Sequence, residues 1–175
     1  MKRHYYSWTI ILGIFSVFLL SCRDKTTTAS LKILPFDNFT EATNIEKIRQ
    51  LYELIDEQNL EACKEMYSDS AKGYMGSSEE SFTFEDIIPF IQMYYSAIPD
   101  YQHHIENIFT ADEYVVAQLK YTGTHTSKFM EIDSTGNKIE YKGIFIFRFI
   151  DGKIAEQWGI EDDLTMMSQL GLALK

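Results

Sequence analysis

The spacing of apolar residues divides the chain into a helical first part and a stranded second part. Apolar side chains that recur every three or four residues fall on one helical face, and here they are Ile45, Ile48, Tyr52 and Ile55. From residue 101 onward apolar and polar positions alternate, which is the period of a β-strand. Helices followed by long antiparallel strands and a closing helix predict an α+β fold.

Two helices are predicted before residue 67. Thr43 is a good N-cap for the first, because Glu46 stands three residues later and can reach back to its backbone. Asn59 is placed to cap a second, short helix that runs through Met66. Residues 67–81 are polar and glycine-containing, so they predict a loop with at most one short strand.

A third helix is predicted from about Asp86 to Ala97. Pro89 lacks a backbone N–H and is best tolerated in a first helical turn. Its position therefore favours a start near Asp86 over one at Phe84. The segment Ile98-Pro99-Asp100 then ends the helix.

Four strands are predicted in the second part of the chain, at residues 101–109, 114–125, 139–150 and 153–161. Asp151-Gly152 joins the last two as a two-residue hairpin. Asp162 or Asp163 is placed to cap a final helix over residues 164–170. A curled sheet wrapped by helices leaves a pocket between the two layers, and such a pocket is the default ligand site.

The N-terminus has the pattern of a bacterial lipoprotein signal. A basic start precedes a mostly apolar run over residues 5–20, and Leu19-Leu20-Ser21-Cys22 then forms a lipoprotein cleavage box. This predicts a signal peptide over residues 1–21 and lipidation of Cys22. The mature protein is then anchored by lipid to a membrane of the cell envelope, outside the cytoplasm. The alternative is an uncleaved anchor helix, although the apolar run is short for one.

The remainder of the chain reads as a tether and one domain. Residues 22–42 carry few periodic apolar positions and are predicted to be a flexible link to a domain over residues 43–175. The formal net charge is −10, which repels phosphate and excludes nucleic acid as an expected partner. Cys63 is the single thiol left after lipidation, so the domain is expected to fold without a disulfide.

Several motifs, taken in order, resemble the SnoaL-like polyketide cyclases, also called ester cyclases, of the nuclear transport factor 2-like superfamily. The motifs are Tyr121-Thr122-Gly123-Thr124-His125-Thr126, Thr135-Gly136, Gly143-Ile144-Phe145-Ile146-Phe147-Arg148, Asp151-Gly152-Lys153-Ile154-Ala155-Glu156-Gln157-Trp158, Asp162-Asp163-Leu164 and Gln169-Leu170-Gly171. Upstream, Ile98-Pro99-Asp100 and Tyr52 also match. The resemblance covers residues 45–172.

The resemblance implies a cone-shaped, curved antiparallel sheet wrapped by helices, and often a homodimer formed through the open sheet. It also implies ring closure by intramolecular aldol chemistry without a metal or cofactor. One aspartate near the end of the last strand serves as general acid/base in the polyketide members. Asp162 is the best match to that residue, and Asp163 is the alternative register.

The chemistry of Asp162 leaves two interpretations open. A carboxyl group at the mouth of an apolar cavity gains proton affinity by desolvation, which suits it to take a proton from an activated carbon acid. An aspartate directly before a helix is equally an ordinary N-cap. One side chain can also do both.

The resemblance points to six further residues as candidates for the pocket. They are Tyr52, Tyr74, His125, Arg148, Gln157 and Trp158. His125 can instead be a strand-end histidine bonded to backbone, and Arg148 can be part of a solvated charge ladder. Tyr74 and Gln157 stand where many relatives have a histidine, so identical chemistry is not implied.

No motif for metal or phosphate binding is present in the sequence. His103 and His104 are adjacent on one strand and point to opposite sheet faces, so they cannot form a paired metal site. Three functional hypotheses follow: a cofactor-independent cyclase or isomerase acting on a small apolar carbonyl compound, a non-catalytic envelope lipoprotein that binds a hydrophobic small molecule, and a dimerising structural module.

Overall fold

The computed structural model describes residues 38–172, which form four helices and one five-stranded sheet. The elements in chain order are α1 Asn38–Asp56, α2 Leu60–Lys64, β1 Tyr67–Met75, α3 Phe84–Ala97, β2 Gln102–Ala111, β3 Tyr114–Thr124, β4 Lys138–Ile150, β5 Lys153–Glu161 and α4 Asp163–Gln169. The predicted α+β class and the four strands of the second part are confirmed.

The curved sheet has the strand order β1-β5-β4-β3-β2. Strand β1 runs parallel to β5, and the other neighbours are antiparallel. Side chains alternate between a buried inner face and an outer face, as the period of two predicts. The buried positions of the two central strands are Val115, Ala117, Leu119, Tyr121, Ile139, Tyr141, Phe145, Phe147 and Phe149.

Helix α1 begins at Asn38, so Thr43 lies inside the helix and is not its N-cap. Glu41, in the additional first turn, is only 9% exposed. Burial of this turn accompanies the earlier start, and the local capping signal at Thr43 does not indicate it. The short helix α2 is present but ends at Lys64, two residues before the predicted Met66, and the Asn59 side chain accepts a hydrogen bond from the Ala62 backbone N–H at 3.4 Å.

Residues 67–75, predicted to lie mostly in a loop, form the nine-residue strand β1 at the edge of the sheet. Two of its inward positions are occupied by the small residues Ala71 and Gly73, which weakens the apolar strand pattern of the segment. Gly73 also exchanges two backbone hydrogen bonds with Phe82 at 2.8 and 3.0 Å. A Cβ at position 73 would lie 2.2 Å from the Phe82 ring, so glycine is required there.

Helix α3 begins at Phe84, and the prediction of a start near Asp86 is wrong. Thr83 is the N-cap, and its side chain and that of Asp86 form a reciprocal capping box. This favourable start outweighs the position of Pro89, which therefore lies inside the helix beyond the first turn. The helix ends at Ala97, as predicted.

The hairpin between β4 and β5 is confirmed, with positive φ angles of 49° at Asp151 and 75° at Gly152. The predicted closing helix is also present as α4. The signal peptide over 1–21, Cys22 and residues 23–37 lie outside the described residues. Within residues 38–172, no helix is long and apolar enough to cross a membrane.

Candidate active site

A cavity of about 460 Å³ lies between the inner face of the sheet and helices α1 and α3. Its walls are dominated by apolar and aromatic side chains, which is typical of small-molecule sites. Tyrosine is unusually frequent among them. The lining tyrosines are Tyr52, Tyr67, Tyr94, Tyr95, Tyr101 and Tyr121.

Two adjacent elements, β5 and α4, bring a pair of carboxyl groups to one end of this cavity, in addition to Asp86 of α3. Glu161 is the last residue of β5, and Asp163 is the first residue of α4. Glu161 shares the inward parity of Gln157 and Gly159, because residues two apart on a strand face the same side. Opposite Glu161 on β4 stands Gly143, which leaves room for the glutamate side chain.

Burial raises the pKa of Glu161 to about 7. The neighbouring Tyr121 hydroxyl opposes this shift, and the charge of Asp163 adds to it. Burial also raises the pKa of Asp163, with a smaller contribution from Asp162. Glu161 is therefore present in both protonation states near neutral pH, which is the condition for a general acid/base.

The Tyr121 hydroxyl lies beside Glu161 and is buried. Among the described residues it has no hydrogen-bond partner of standard geometry. Burial and the charge of Glu161 hold its pKa well above the usual range, so the hydroxyl stays protonated. It is therefore an available donor for an oxygen atom of a ligand or for Glu161.

Asp162, the expected acid/base, does not line the cavity. It is exposed, and its two carboxylate oxygens accept hydrogen bonds from the backbone N–H of Thr165 at 3.0 Å and from its hydroxyl at 2.7 Å. These bonds hold its pKa below the usual range. Of the two interpretations, the structure favours the N-cap, and the alternative register Asp163 is the one that reaches the cavity.

Tyr52 and Gln157 line the cavity, as expected from the sequence. Both are buried, at 6% exposure each. The Tyr67 hydroxyl donates a hydrogen bond of 2.7 Å to Oε1 of Gln157. This bond fixes the amide and leaves its NH₂ group as a donor for a ligand carbonyl oxygen.

Trp158, Arg148 and Tyr74 do not line the cavity, because strand alternation turns all three to the outer face. Trp158 stacks on Tyr74, with ring centroids 6.0 Å apart. Arg148 pairs with Glu156 at 2.8 Å and with Glu113 at 3.5 Å. Arg148 is therefore part of a charge ladder, and it does not position Asp162.

His125 is also absent from the cavity wall. It is fully buried next to the loop after β3, and its Nδ1 lies 3.0 Å from the Thr135 hydroxyl. Its backbone N–H and C=O bond to Asn137 and Gly136. Its role is thus the structural one that was left open, bonding the end of β3 to the following loop.

The sequence reasoning missed two features of the site. With Gln157 inside, the alternation along β5 also places Glu161 inside and Trp158 outside, so a signal for Glu161 was present in the sequence. His103 lines the cavity while His104 is exposed on the opposite face, as their adjacency predicts. The partner of His103 is Asp56, whose Oδ1 lies 2.6 Å from Nδ1.

Within residues 38–172, no group of three or more histidine, cysteine or acidic side chains is arranged to hold a metal ion. The cavity is thus furnished with proton-transfer groups, which are Glu161, Asp163 and His103, and with hydroxyl and amide donors. This arrangement can take a proton from one atom of a bound molecule and deliver one to another.

The sequence profile of the SnoaL-like polyketide cyclases matches residues 46–170. That range contains the cavity-lining residues described above. Among curated protein sequences, none matches this chain.

Solved structures share the fold. IdmH from Streptomyces antibioticus, described as a candidate polyketide cyclase, has a TM-score of 0.66 and 27% identity over 74% of this chain and 99% of its own. AclR from Streptomyces galilaeus, described as a candidate hydroxylase, has a TM-score of 0.69 and 21% identity over 75% and 97% of the two chains. A candidate SnoaL-like polyketide cyclase from Jannaschia sp. CCS1 has a TM-score of 0.68 and 19% identity over 77% and 96%.

Proposed function

The chain belongs to the SnoaL-like polyketide cyclase family, and we propose that it is a cofactor-independent enzyme of cyclase or isomerase type. Its substrate is a small apolar carbonyl compound, and Glu161 is its general acid/base, with Asp163 beside it. The observation that carries the proposal is a carboxyl group with a pKa of about 7 in an aromatic cavity.

An intramolecular aldol closure needs one proton removed from carbon and one delivered to oxygen. Removal of the proton from carbon leaves the electron pair as an enolate, and that carbon forms a bond to a second carbonyl carbon of the same molecule. The carbonyl oxygen becomes an alkoxide and takes up a proton. No atom is gained or lost, and a carboxyl group that exchanges protons near pH 7 can serve either transfer.

The composition of the cavity wall supports a neutral substrate. Three carboxyl groups line the cavity, from Asp86, Glu161 and Asp163, and the described lining contains neither lysine nor arginine. An anionic ligand would therefore meet like charge without a partner. The amide of Gln157 and the Tyr121 hydroxyl are suited to a carbonyl oxygen.

The proposal is tested by hydrogen exchange at carbon. Aryl ketones and β-keto esters are incubated with the protein in D₂O, and NMR follows deuterium uptake next to the carbonyl. We expect the wild type and Asp162→Asn to accelerate exchange, and Glu161→Gln to lose about 10²- to 10⁴-fold of that acceleration. Equal rates for wild type and Glu161→Gln would exclude Glu161 as the acid/base.

A second candidate function is passive binding of a hydrophobic small molecule at the cell envelope. The observation that favours it is the exposed, capping position of Asp162, the residue expected from the family to do the chemistry. Tight binding of aryl ketones without any exchange above background would support this candidate over the enzyme.

Lipid anchoring and dimerisation rest on features outside the cavity. The lipoprotein box supports lipidation of Cys22 and anchoring to an envelope membrane, and mass spectrometry of the mature N-terminus tests it. The outer sheet face supports a homodimer, because Ile144, Ile146 and Ile160 are 47%, 37% and 59% exposed there. No nucleic acid partner is expected of so acidic a chain.

A further inference from the structure

Asp56, the last residue of α1, holds the imidazole of His103 on β2. Its Oδ1 lies 2.6 Å from His103 Nδ1, and its carboxylate also accepts the His103 backbone N–H at 3.2 Å. The Tyr95 hydroxyl donates a further hydrogen bond to Oδ1 at 2.9 Å. Three hydrogen-bond donors, two from His103 on β2 and one from Tyr95 on α3, therefore fix the position of the Asp56 carboxylate.

The hydrogen-bond geometry assigns the tautomer of His103. An ionised carboxylate only accepts hydrogen bonds, so the ring nitrogen facing it, Nδ1, carries the proton. In the neutral ring the lone pair is then on Nε2. Among residues 38–172 no hydrogen bond occupies Nε2 of His103. This atom is also not one of the fully buried side-chain atoms that lack a hydrogen-bond partner, so it is accessible. It thus remains reachable from the cavity that His103 lines.

The ring is also held by aromatic neighbours. The centroids of Tyr52, Tyr101 and Tyr121 each lie 5.2 Å from that of His103. The side chain is only 10% exposed. These neighbours and the Asp56 carboxylate hold the His103 ring in one orientation. A proton-transfer group needs such a fixed orientation, because its reacting atom must be placed accurately against the substrate.

We propose that His103 is a second proton-transfer residue of the cavity and that Asp56 is its positioning residue; the proposal deepens, and rests on, the function proposed above. Tyr121 separates the two centres, since its ring contacts His103 while its hydroxyl lies beside Glu161. A substrate that reaches both therefore lies between them, with the carbon that loses a proton beside one group and the carbonyl oxygen that takes up a proton beside the other.

The two centres divide the transfers between them. Ionised Glu161 takes the proton from carbon, and the electron pair of that C–H bond forms the new bond to the second carbonyl carbon. His103, protonated at both ring nitrogens, delivers the proton on Nε2 to the resulting alkoxide and keeps the proton on Nδ1. Carboxylic acid and neutral imidazole remain, and proton exchange through water restores both, so that the reaction is an isomerisation without net proton change.

The test is alkylation of the full chain with 2-bromoacetophenone, an apolar α-halo ketone that places a reactive carbon where a substrate would lie. The nucleophilic nitrogen bonds to the methylene carbon and bromide leaves. Peptide mass spectrometry then locates the adducts. His104 is the matched control, because it stands next in sequence but is exposed on the opposite face, with Nε2 2.9 Å from the Thr122 hydroxyl.

We expect His103 to be alkylated at Nε2 about tenfold faster than His104, and Asp56→Asn to slow His103 about tenfold while leaving His104 unchanged. Long-range ¹H–¹⁵N NMR of the wild type should show the proton on Nδ1. If Asp56→Asn does not fold, Tyr95→Phe removes one donor to Asp56 and should slow His103 by a smaller factor.

The proposal is overturned if His103 reacts no faster than His104, if Asp56→Asn or Tyr95→Phe leaves its rate unchanged, or if Nε2 carries the proton. These outcomes are separable from failure of the proposed function. Loss of carbon exchange in Glu161→Gln tests that function alone, whereas alkylation and the tautomer of His103 are read without turnover.

Discussion

The Tyr121 hydroxyl and the Glu161 side chain converge on the space that the missing side chain of Gly143 leaves open. A Cβ at position 143 would lie 3.0 Å from the hydroxyl oxygen and 3.1 Å from Glu161 Cγ. These three residues come from adjacent strands β3, β4 and β5. The inner face of the sheet thereby places a carboxyl group and a phenol side by side at the end of an aromatic cavity.

Glu161 makes stability depend on pH in a defined direction. Its pKa rises from a usual value of 4.5 to about 7 on folding. The unfolded chain therefore releases this proton at lower pH than the folded chain does. The stabilisation is present in full below pH 4.5 and is lost as the pH rises through about 7.

Glu161→Gln removes this dependence, because the amide resembles the protonated acid. The unfolding free energy of wild type should fall from pH 5 to pH 8 by about 2 to 3 kcal/mol more than that of the variant. Urea denaturation at both pH values measures this difference. The control is Glu131→Gln, whose side chain is 97% exposed and far from such burial. If the difference in unfolding free energy between Glu161→Gln and wild type were the same at pH 5 and pH 8, the raised pKa of Glu161 would be contradicted.

Asp162 should behave as a cap. Asp162→Ala removes two acceptors for Thr165 and should cost about 1 kcal/mol of unfolding free energy. Asp162→Asn keeps the backbone bond and should cost clearly less. Thermal and chemical denaturation measure both variants beside the exchange assay. A loss of exchange in Asp162→Asn as large as that in Glu161→Gln would restore Asp162 as the acid/base.

Gly159 lets the cavity-lining side chains of Phe145 and Met75 pack directly against the backbone of β5. A Cβ there would lie 2.4 Å from the Phe145 ring and 2.7 Å from Sδ of Met75. Gly159→Ala should therefore destabilise the domain by about 1–3 kcal/mol through overpacking and weaken binding of the apolar dye Nile red. Gly143→Ala, whose contacts are no closer than 3.0 Å, should cost less. Equal stability of Gly159→Ala and wild type would show that Phe145 and Met75 move freely.

The outer face should carry the dimer interface. Ile144 on β4 pairs with Ile160 on β5, so one charge at either position lies at the centre of the exposed patch. Ile160→Asp should shift the protein from dimer to monomer in size-exclusion chromatography with light scattering. Leu164→Asp, at a residue 65% exposed on α4, is the control and should stay dimeric. A monomeric wild type would refute the interface.

Strong periodicity made most of the fold predictable. Strands β3 and β4 and the hairpin at Asp151-Gly152 follow from alternation and turn chemistry alone. The full length of strand β1 was not predicted, because Ala71 and Gly73 at two of its inward positions carry little apolar signal. At the site, Tyr52 and Gln157, which the resemblance pointed to, line the cavity, and strand parity counted from Gln157 along β5 leads to Glu161.

The pairing of Asp56 with His103 and the role of Asp162 could not be predicted from the sequence. Asp56 and His103 are 47 positions apart, and their contact depends on how α1 packs against β2. The spacing allowed Asp162 to be a helix cap or a catalytic residue. Which of the two roles it has depends on the direction in which its carboxylate points at the end of β5. That direction is set by Thr165, whose backbone and hydroxyl both hold it outside the cavity.

A ¹³C NMR titration of glutamate side-chain carboxyl carbons measures directly whether the cavity holds a carboxyl group that exchanges protons at neutral pH. Protein labelled at glutamate Cδ is titrated from pH 4 to pH 9, with Glu161→Gln to assign the signal. We expect one resonance with a midpoint of about 7 that disappears in the variant. A Glu161 signal that titrates with a midpoint near 4.5 would contradict it.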